Sequence, residues 1–149
     1  MNRLLPMAAV LLVACNGPVE PAESACELET RGEELRVGLS ASGDKLTFEL
    51  TDVADLPAIV GMNDWTIQVT DNSGSPFELD LFVGTWMPDH SHSGFIEEVI
   101  TPQGEGVYTV EGIHLFMAGF WEVTVSMVDP LSDAMEPYDE ATFAFCVEG

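Results

Sequence analysis

Residues 120–128 read FWEVTVSMV, and the alternation in this stretch decides the fold class. Every second position carries an apolar side chain, at Trp121, Val123, Val125 and Met127. Side chains two residues apart share one face of a strand, so the pattern predicts a strand with a single buried face. The same alternation occurs in KLTFELT at 45–51, WTIQVTD at 65–71 and ATFAFCV at 141–147.

Turn chemistry separates these stretches. SASGD at 40–44, DNSGSP at 71–76, PQGEG at 102–106 and DPLSD at 129–133 each place Gly or Pro beside Asn, Asp, Ser or Gln. FELDLFVGTWM at 77–87 is more apolar than the alternating stretches, as expected of a strand that is buried on both sides or lies at an edge. The sequence therefore predicts an all-β, immunoglobulin-like β-sandwich of about seven strands, with a short helical turn at Ala54–Ile59 or Leu131–Met135.

The amino terminus has the features of an export signal. One basic residue, Arg3, precedes an apolar run from Leu4 to Val13, which is too short to span a bilayer. The run ends in small residues before Cys15, and this ending resembles the lipobox of bacterial lipoproteins. We therefore expect a lipoprotein signal peptide at 1–14, a lipidated Cys15 opening a Pro/Glu-rich tether at 15–33, and a domain at 34–149 facing the periplasm or exterior.

Charge restricts the partners of the exported chain. Without residues 1–14, three basic residues oppose 26 acidic ones, a net charge of −23. This charge disfavours nucleic acid and anionic lipid as partners, so we expect contact with the membrane through the lipid alone. Most of the carboxylates are typical of a solvated surface that keeps a protein soluble.

Two cysteines remain once Cys15 is assigned to the lipid. Cys26 and Cys146 lie near the two ends of the domain, and an even pair in an oxidising compartment predicts a disulfide. A bond that closes a loop of about 120 residues stabilises a fold by about 4–5 kcal/mol in the chain-entropy description.

All three histidines lie close to methionines. WMPDHSHSG at 86–94 holds Met87, His90 and His92, and IHLFMAGFW at 113–121 holds His114 and Met117. Imidazole and thioether together suit copper, because thioether sulfur selects the soft cuprous ion, whereas zinc would leave the methionines unused. The five residues are therefore candidate metal ligands, although a polar HSH turn and a methionine in the core remain alternatives.

Convergence of these ligands depends on local backbone shape. An extended 90–92 segment would project His90 and His92 to the same side. His114 and Met117 would converge only with a bend near Ala118-Gly119. Trp86 and Trp121 are expected to pack in the core or at a strand end rather than to bind a cation.

MPDHSHSG at 87–94, followed by GVYTVEGIHLFMAGFWEVTVSM at 106–127, resembles the YtkA-like domain, which is related to FixH-like and CopC-like sandwich proteins. That family carries Met-Pro-x-His-x-His-Gly, then a Tyr, then a strand close to Phe-x-Met-x-Gly-x-Trp. Ser93 interrupts the His-Gly pair, so Gly94 stands one place late, and the register of Phe116 departs from the family pattern. The resemblance covers about 35–128 and implies a sandwich outside the cytoplasm that handles copper. The matching positions are Met87, Pro88, His90, His92, Tyr108, Met117, Gly119 and Trp121.

Catalysis has no support in the sequence. Ser91 and Ser93 lie beside histidines, but no nucleophile elbow or oriented third partner accompanies them. The sequence predicts a lipid-anchored, non-enzymatic copper-binding protein that stores copper or delivers it to an acceptor protein. The alternative is an envelope interaction module whose histidine loop contacts protein rather than metal.

Overall fold

The computed structural model describes residues 26–132 and 136–149, and these form a two-layer antiparallel β-sandwich. One sheet has five strands in the order β1-β2-β3-β6-β5, and the other has three in the order β4-β7-β8. The strands are β1 Ser40–Ser42, β2 Leu46–Val53, β3 Gly61–Asp71, β4 Asp80–Trp86, β5 Val99–Gly104, β6 Val107–Leu115, β7 Gly119–Val128 and β8 Asp139–Val147.

The alternating stretches form β2, β3, β7 and β8, as predicted, and the first three of these are central in their sheets. Their apolar positions face the space between the sheets and are buried, while the polar positions between them face outward. Trp65 packs against Phe143 and Phe145 across the sheets, with ring centroids 5.9 and 5.7 Å apart. The buried positions are Leu46, Phe48 and Leu50 of β2, Trp65, Ile67 and Val69 of β3, Trp121, Val123, Val125 and Met127 of β7, and Ala141, Phe143, Phe145 and Val147 of β8.

The predicted all-β sandwich of about seven strands is confirmed, whereas one of the two candidate helical turns is absent. Eight strands are present, because the three-residue β1 pairs with β2. The segment Ala54–Ile59 contains bends and an isolated bridge but no helical turn, since Pro57 biases Leu56 away from helical backbone. The other candidate, Leu131–Met135, reaches residues 133–135, which lie outside the described part of the chain.

β4 is an edge strand. Of the two positions expected for the apolar stretch at 77–87, buried on both sides or at an edge, it occupies the edge. It pairs with β7 on one side only, and Phe82 and Trp86 point to the outer face of the three-stranded sheet. Trp86 is the last residue of β4 and is 42% exposed, so of the two expected positions it takes the strand end, whereas Trp121 is fully buried in the core. In β4, Leu81 and Thr85 alternate with these exposed residues and face the core.

One carboxylate joins the sheets at the start of β8. Asp139 Oδ1 accepts a hydrogen bond from the backbone N–H of Asp44 at 3.0 Å, and Oδ2 accepts from those of Lys45 and Leu46 at 2.9 and 2.7 Å. These amides belong to the turn between β1 and β2, in the other sheet. We call this region, the turn at 43–46 with Asp139, the Asp139 end.

The opposite end of β8 carries a disulfide. Cys26 is bonded to Cys146, as predicted, and the two residues are 120 positions apart. The chain then crosses β8, where the N–H of Glu33 donates to the carbonyl of Ala144 at 2.8 Å. The residues that the structure describes include no helix long and apolar enough to cross a membrane.

Candidate functional site

The histidine loop follows β4 directly and is a tight turn. The N–H of Met87 donates to the carbonyl of His92 at 2.8 Å, and the N–H of His90 donates to that of Met87 at 3.2 Å. Ser91 has a φ of 54°, in the left-handed region that residues other than Gly seldom adopt. The expectation of an extended 90–92 segment is therefore wrong, because the backbone reverses within it.

The turn nevertheless brings two imidazoles together. The ring centroids of His90 and His92 are 5.6 Å apart, and the ring planes are inclined by 26°. A metal held at about 2.0 Å by one nitrogen of each ring places the ring centres about 5 to 6 Å apart. His90 is exposed and His92 is partly buried, so the pair lies at the boundary between solvent and the sandwich.

His114 approaches the same region from β6. The ring of Phe116 lies 4.9 Å from that of His92 and 5.6 Å from that of His114, measured between centroids. The Nδ1 atoms of His92 and His114 are both buried and have no hydrogen-bond partner. Buried polar atoms nearly always have partners, so these two nitrogens call for an explanation such as a water, an ion or local strain.

A glycine allows the loop to cross β6. The N–H of Gly94 donates to Thr85 Oγ1 at 2.8 Å, and the carbonyl of His114 is close by. A Cβ atom at position 94 would stand 2.6 Å from Thr85 Oγ1 and 3.0 Å from the carbonyl oxygen of His114. Only Gly fits at this crossing, which fixes the chain after His92 against the end of β6.

The thioether of Met87 lies inside the sandwich. Met87 is 1% exposed and belongs to the hydrophobic core. Its methyl carbon occupies the space that a Cβ atom at Gly119 would need, and Gly119 has a φ of 130°. Gly119 therefore lets the methionine side chain pass close to the backbone of β7.

Met117 belongs to the connection between β6 and β7. β6 ends at Leu115 and β7 begins at Gly119, so the chain bends near Ala118-Gly119, as convergence of His114 and Met117 would require. The carbonyl of Met117 accepts a hydrogen bond from Trp121 Nε1 at 3.0 Å, and its side chain packs against the core. Both methionine side chains therefore pack with the core.

The donor set limits the metals that could bind. Within residues 26–132 and 136–149, no three His, Cys, Asp or Glu side chains are grouped so that they could hold a metal ion. The His90–His92 pair therefore has no third imidazole, thiolate or carboxylate ligand in this part of the chain.

Arg31, which the sequence analysis did not single out, contacts the histidine loop. Its Nη1 and Nη2 donate to the two carboxylate oxygens of Asp89 at 2.7 and 2.6 Å. Arg31 also pairs with Glu29, and its guanidinium lies 4.3 Å from the ring centroid of Phe120. Hydrogen bonds from Arg31 lower the pKa of Glu29 to about 2 and lower the pKa of Asp89 below its usual value. Arg31 and Asp89 are 58 residues apart, so no local pattern signals this contact.

Met62 is a further thioether that the sequence analysis missed. In the register of β3 and β6 it stands directly opposite His114, and it is 47% exposed. Met62 lies three residues before the alternating WTIQVTD stretch, outside the pattern that identified the strand. Its position beside a histidine follows from strand pairing, which the local sequence does not show.

The proposed lipidation site, Cys15, and the signal peptide at 1–14 lie outside the described residues. So does the part of the predicted tether that precedes Cys26. The rest of that tether, residues 26–33, carries the disulfide and the Arg31 contact with the histidine loop.

Comparison with known proteins gives a family match and one similar structure. The sequence profile described as YtkA-like matches residues 40–126, more than half of the chain, which confirms the resemblance. A crystal structure of FetP from uropathogenic E. coli strain F11, expressed in the periplasm of E. coli, has a TM-score of 0.46 and 11% identity. The match covers 78% of this chain and 98% of FetP. Comparison with curated proteins gives no significant match.

Proposed function

Because this chain belongs to the YtkA-like family, we propose that it is a copper-binding protein of the bacterial cell envelope, anchored by a lipid on Cys15. It stores copper or passes it to an acceptor protein. His90 and His92 are the primary ligands with Met87, and His114 and Met117 are the secondary candidates.

One observation carries the proposal. His92 places a buried Nδ1 atom without a hydrogen-bond partner beside a second imidazole, whose ring centre is 5.6 Å away. A buried polar atom that lacks a partner costs about 1–3 kcal/mol, and a bound metal or a reorientation on metal binding would relieve this cost. Met87, which belongs to the core, would supply the thioether sulfur that completes a donor set for a soft ion.

Each element of the site has a separate part in binding. The turn at 87–92 orients the two imidazoles, and Gly94 fixes the loop against β6. Bound copper would be held at the edge of the core, where Phe116 and Trp121 shield His92 on one side. The net charge of −23 on the exported chain raises the local concentration of cations around this site.

The disulfide supports a location outside the cytoplasm. Disulfides persist in oxidising compartments and are rare in reducing ones, and Cys26–Cys146 is formed in the structure. A ligand set of imidazole and thioether also contains no free thiol that such a compartment would oxidise. The lipid on Cys15 is the proposed contact with the membrane.

A binding role is proposed rather than a catalytic one. In a hydrolytic triad the base is held through its Nδ1 atom by a carboxylate. His92 and His114 have no partner at Nδ1, so neither is oriented in that way. The non-enzymatic assignment rests on this geometry and on the lack of a nucleophile motif in the sequence.

Copper titration of three proteins tests the proposal. The wild-type chain, the His90→Ala/His92→Ala double variant and a Ser93→Ala control are titrated with cuprous ion against a chromophoric chelator. The double variant is expected to lose tight binding, whereas the control keeps it because Ser93 lies in the same loop without an imidazole. Far-UV circular dichroism and thermal melting confirm that all three are folded. Equal affinity in the double variant and the wild type would overturn the proposal.

Partner binding distinguishes the alternative class of function. A partner protein that remains bound in the presence of a copper chelator and to the double variant would identify an interaction module. Binding that requires copper would support delivery to an acceptor.

A further inference from the structure

The outer face of the five-stranded sheet places a methionine directly across from a histidine. Met62 of β3 and His114 of β6 are register partners, so their side chains project to the same side. Their neighbours Asn63 and Ile113 are fully buried, which shows that Met62 and His114 face away from the core. Directly opposed residues have Cβ atoms about 4.5–5.5 Å apart, within reach of one shared ion.

Neither side chain is explained by packing alone. Met62 is 47% exposed and lies outside the core cluster, although a single exposed apolar residue is ordinary on a protein surface. The informative partner is His114, because its Nδ1 atom is buried and has no hydrogen-bond partner. The unpartnered imidazole nitrogen of His114 and the half-exposed thioether of Met62 are thus two soft-metal donors on directly opposed residues.

The chemistry of this pair selects the ion. One thioether sulfur and one imidazole nitrogen favour soft monovalent ions, while zinc, calcium and magnesium require more numerous or harder donors. A carboxylate two residues along β3 from Met62, that of Asp64, already accepts a hydrogen bond from the N–H of Gly112 at 2.8 Å. A site with two protein donors leaves the ion open on its solvent side, which suits exchange with an acceptor.

We propose that Met62 and His114 form a second soft-metal site, which binds cuprous ion on the outer face of the sheet. This site rests on the proposed copper function, assigns His114 to the outer face instead of to the first site, and does not require the His90–His92 pair to be occupied. The ring of Phe116 contacts both His92 and His114, so the two sites lie on the same side of the β6–β7 connection.

Methyl NMR with silver ion tests the second site directly. Silver is a redox-inert probe for cuprous ion, and the full chain in detergent is labelled with 13C at the methionine methyl groups. Silver is expected to shift the Met62 signal, while the Met127 signal stays in place because that side chain is fully buried in the core. Met62→Leu and His114→Gln variants assign the signal and are each expected to lower the silver stoichiometry by one ion.

The outcomes separate this inference from the proposed function. A Met62 signal that silver leaves unmoved, with unchanged stoichiometry in both variants, would overturn the second site even if the His90–His92 pair binds copper. A Met62 shift that persists in the His90→Ala/His92→Ala variant would support the second site independently of the first. Loss of the Met62 shift in that variant would show that the two are a single site, contrary to the inference.

Discussion

At the Asp139 end of β8, a single carboxylate accepts hydrogen bonds from three backbone amides and ties the β1–β2 turn to the other sheet. At the other end, which we call the histidine end, the disulfide and the Arg31–Asp89 pair hold residues 26–33 against β8 and the histidine loop. Two buried imidazole nitrogens there lack partners. At the Asp139 end the polar groups bind one another and stabilise the fold. At the histidine end, two imidazole nitrogens have no partner, and the disulfide and the Arg31–Asp89 pair stabilise the surrounding backbone.

The largest effect is expected on removal of the disulfide. A Cys26→Ser/Cys146→Ser variant should lose about 4–5 kcal/mol of unfolding free energy, because the unfolded chain is released from a closed loop of 120 residues. Urea denaturation measures this loss. Hydrogen exchange should accelerate at residues 26–33 and 87–92 before it does at residues 44–46. Equal acceleration at both ends would remove the distinction between them.

Asp139→Ala should have a smaller effect at the opposite end. Three amides of the β1–β2 turn lose their acceptor, and one of them, the N–H of Leu46, is partly buried. We expect a loss of about 1–2 kcal/mol of unfolding free energy, as for removal of a capping carboxylate. Copper affinity is expected to stay at the wild-type value, and chelator competition measures it. A drop in affinity would show that the two ends are coupled.

Acid should weaken the same contact in the wild type. Burial opposes the ionisation of Asp139, but hydrogen bonds from the amides of Lys45, Leu46 and Asp44 outweigh it and lower the pKa. A carboxyl with a lowered pKa contributes stability above its unfolded-state pKa of about 3.9 and loses that contribution as the pH falls through the folded value. Unfolding free energy should therefore decrease more steeply in the wild type than in Asp139→Ala below about pH 4. Parallel curves for the two proteins would contradict this.

Met87→Leu separates packing from ligation at the histidine end. Leucine has a similar volume, so the loss of unfolding free energy should stay below about 1.5 kcal/mol. Copper affinity should fall, because the sulfur is removed. Met127→Leu is the matched control, since Met127 is also fully buried but pairs with Asp139 at the far end of β7. If both variants bind copper like the wild type, Met87 is not a ligand.

Arg31→Ala should have the smallest effect on unfolding. Arg31 and Asp89 are both about half exposed, and exposed ion pairs contribute little because solvent screens them. The expected change is faster amide exchange at His90 and Ser91 with a melting temperature close to that of the wild type. Arg31→Lys should restore part of the protection, because lysine keeps the charge but not the bidentate geometry. Unchanged exchange in Arg31→Ala would show that the pair does not hold the loop.

Local sequence predicted the strands that bury one face. β2, β3, β7 and β8 have strict alternation, and that signal depends only on neighbours along the chain. β4 was ambiguous because its outward residues Phe82 and Trp86 are apolar, so the alternation is hidden. β1 has only three residues, which is too short for a periodic signal.

The candidate site was predicted only where its residues are close in sequence. His90 and His92 were singled out as a pair, but the turn between them was not foreseen, because Ser91 adopts a positive φ without the usual glycine signal. The Arg31–Asp89 contact and the Met62–His114 pair arise from strand register and chain crossing. Such pairings are properties of the assembled sheets and leave no mark in a short stretch of sequence.

The Cys26–Cys146 bond also sets the path of mechanical load. A force applied to the chain before Cys26 is transmitted through the disulfide directly to the last residues of β8. Residues 27–33 follow Cys26 in the chain and carry little of this force. They include Arg31, whose guanidinium binds Asp89. Force on the amino-terminal segment therefore bypasses the histidine loop, and the imidazoles of His90 and His92 keep their spacing when the domain is pulled.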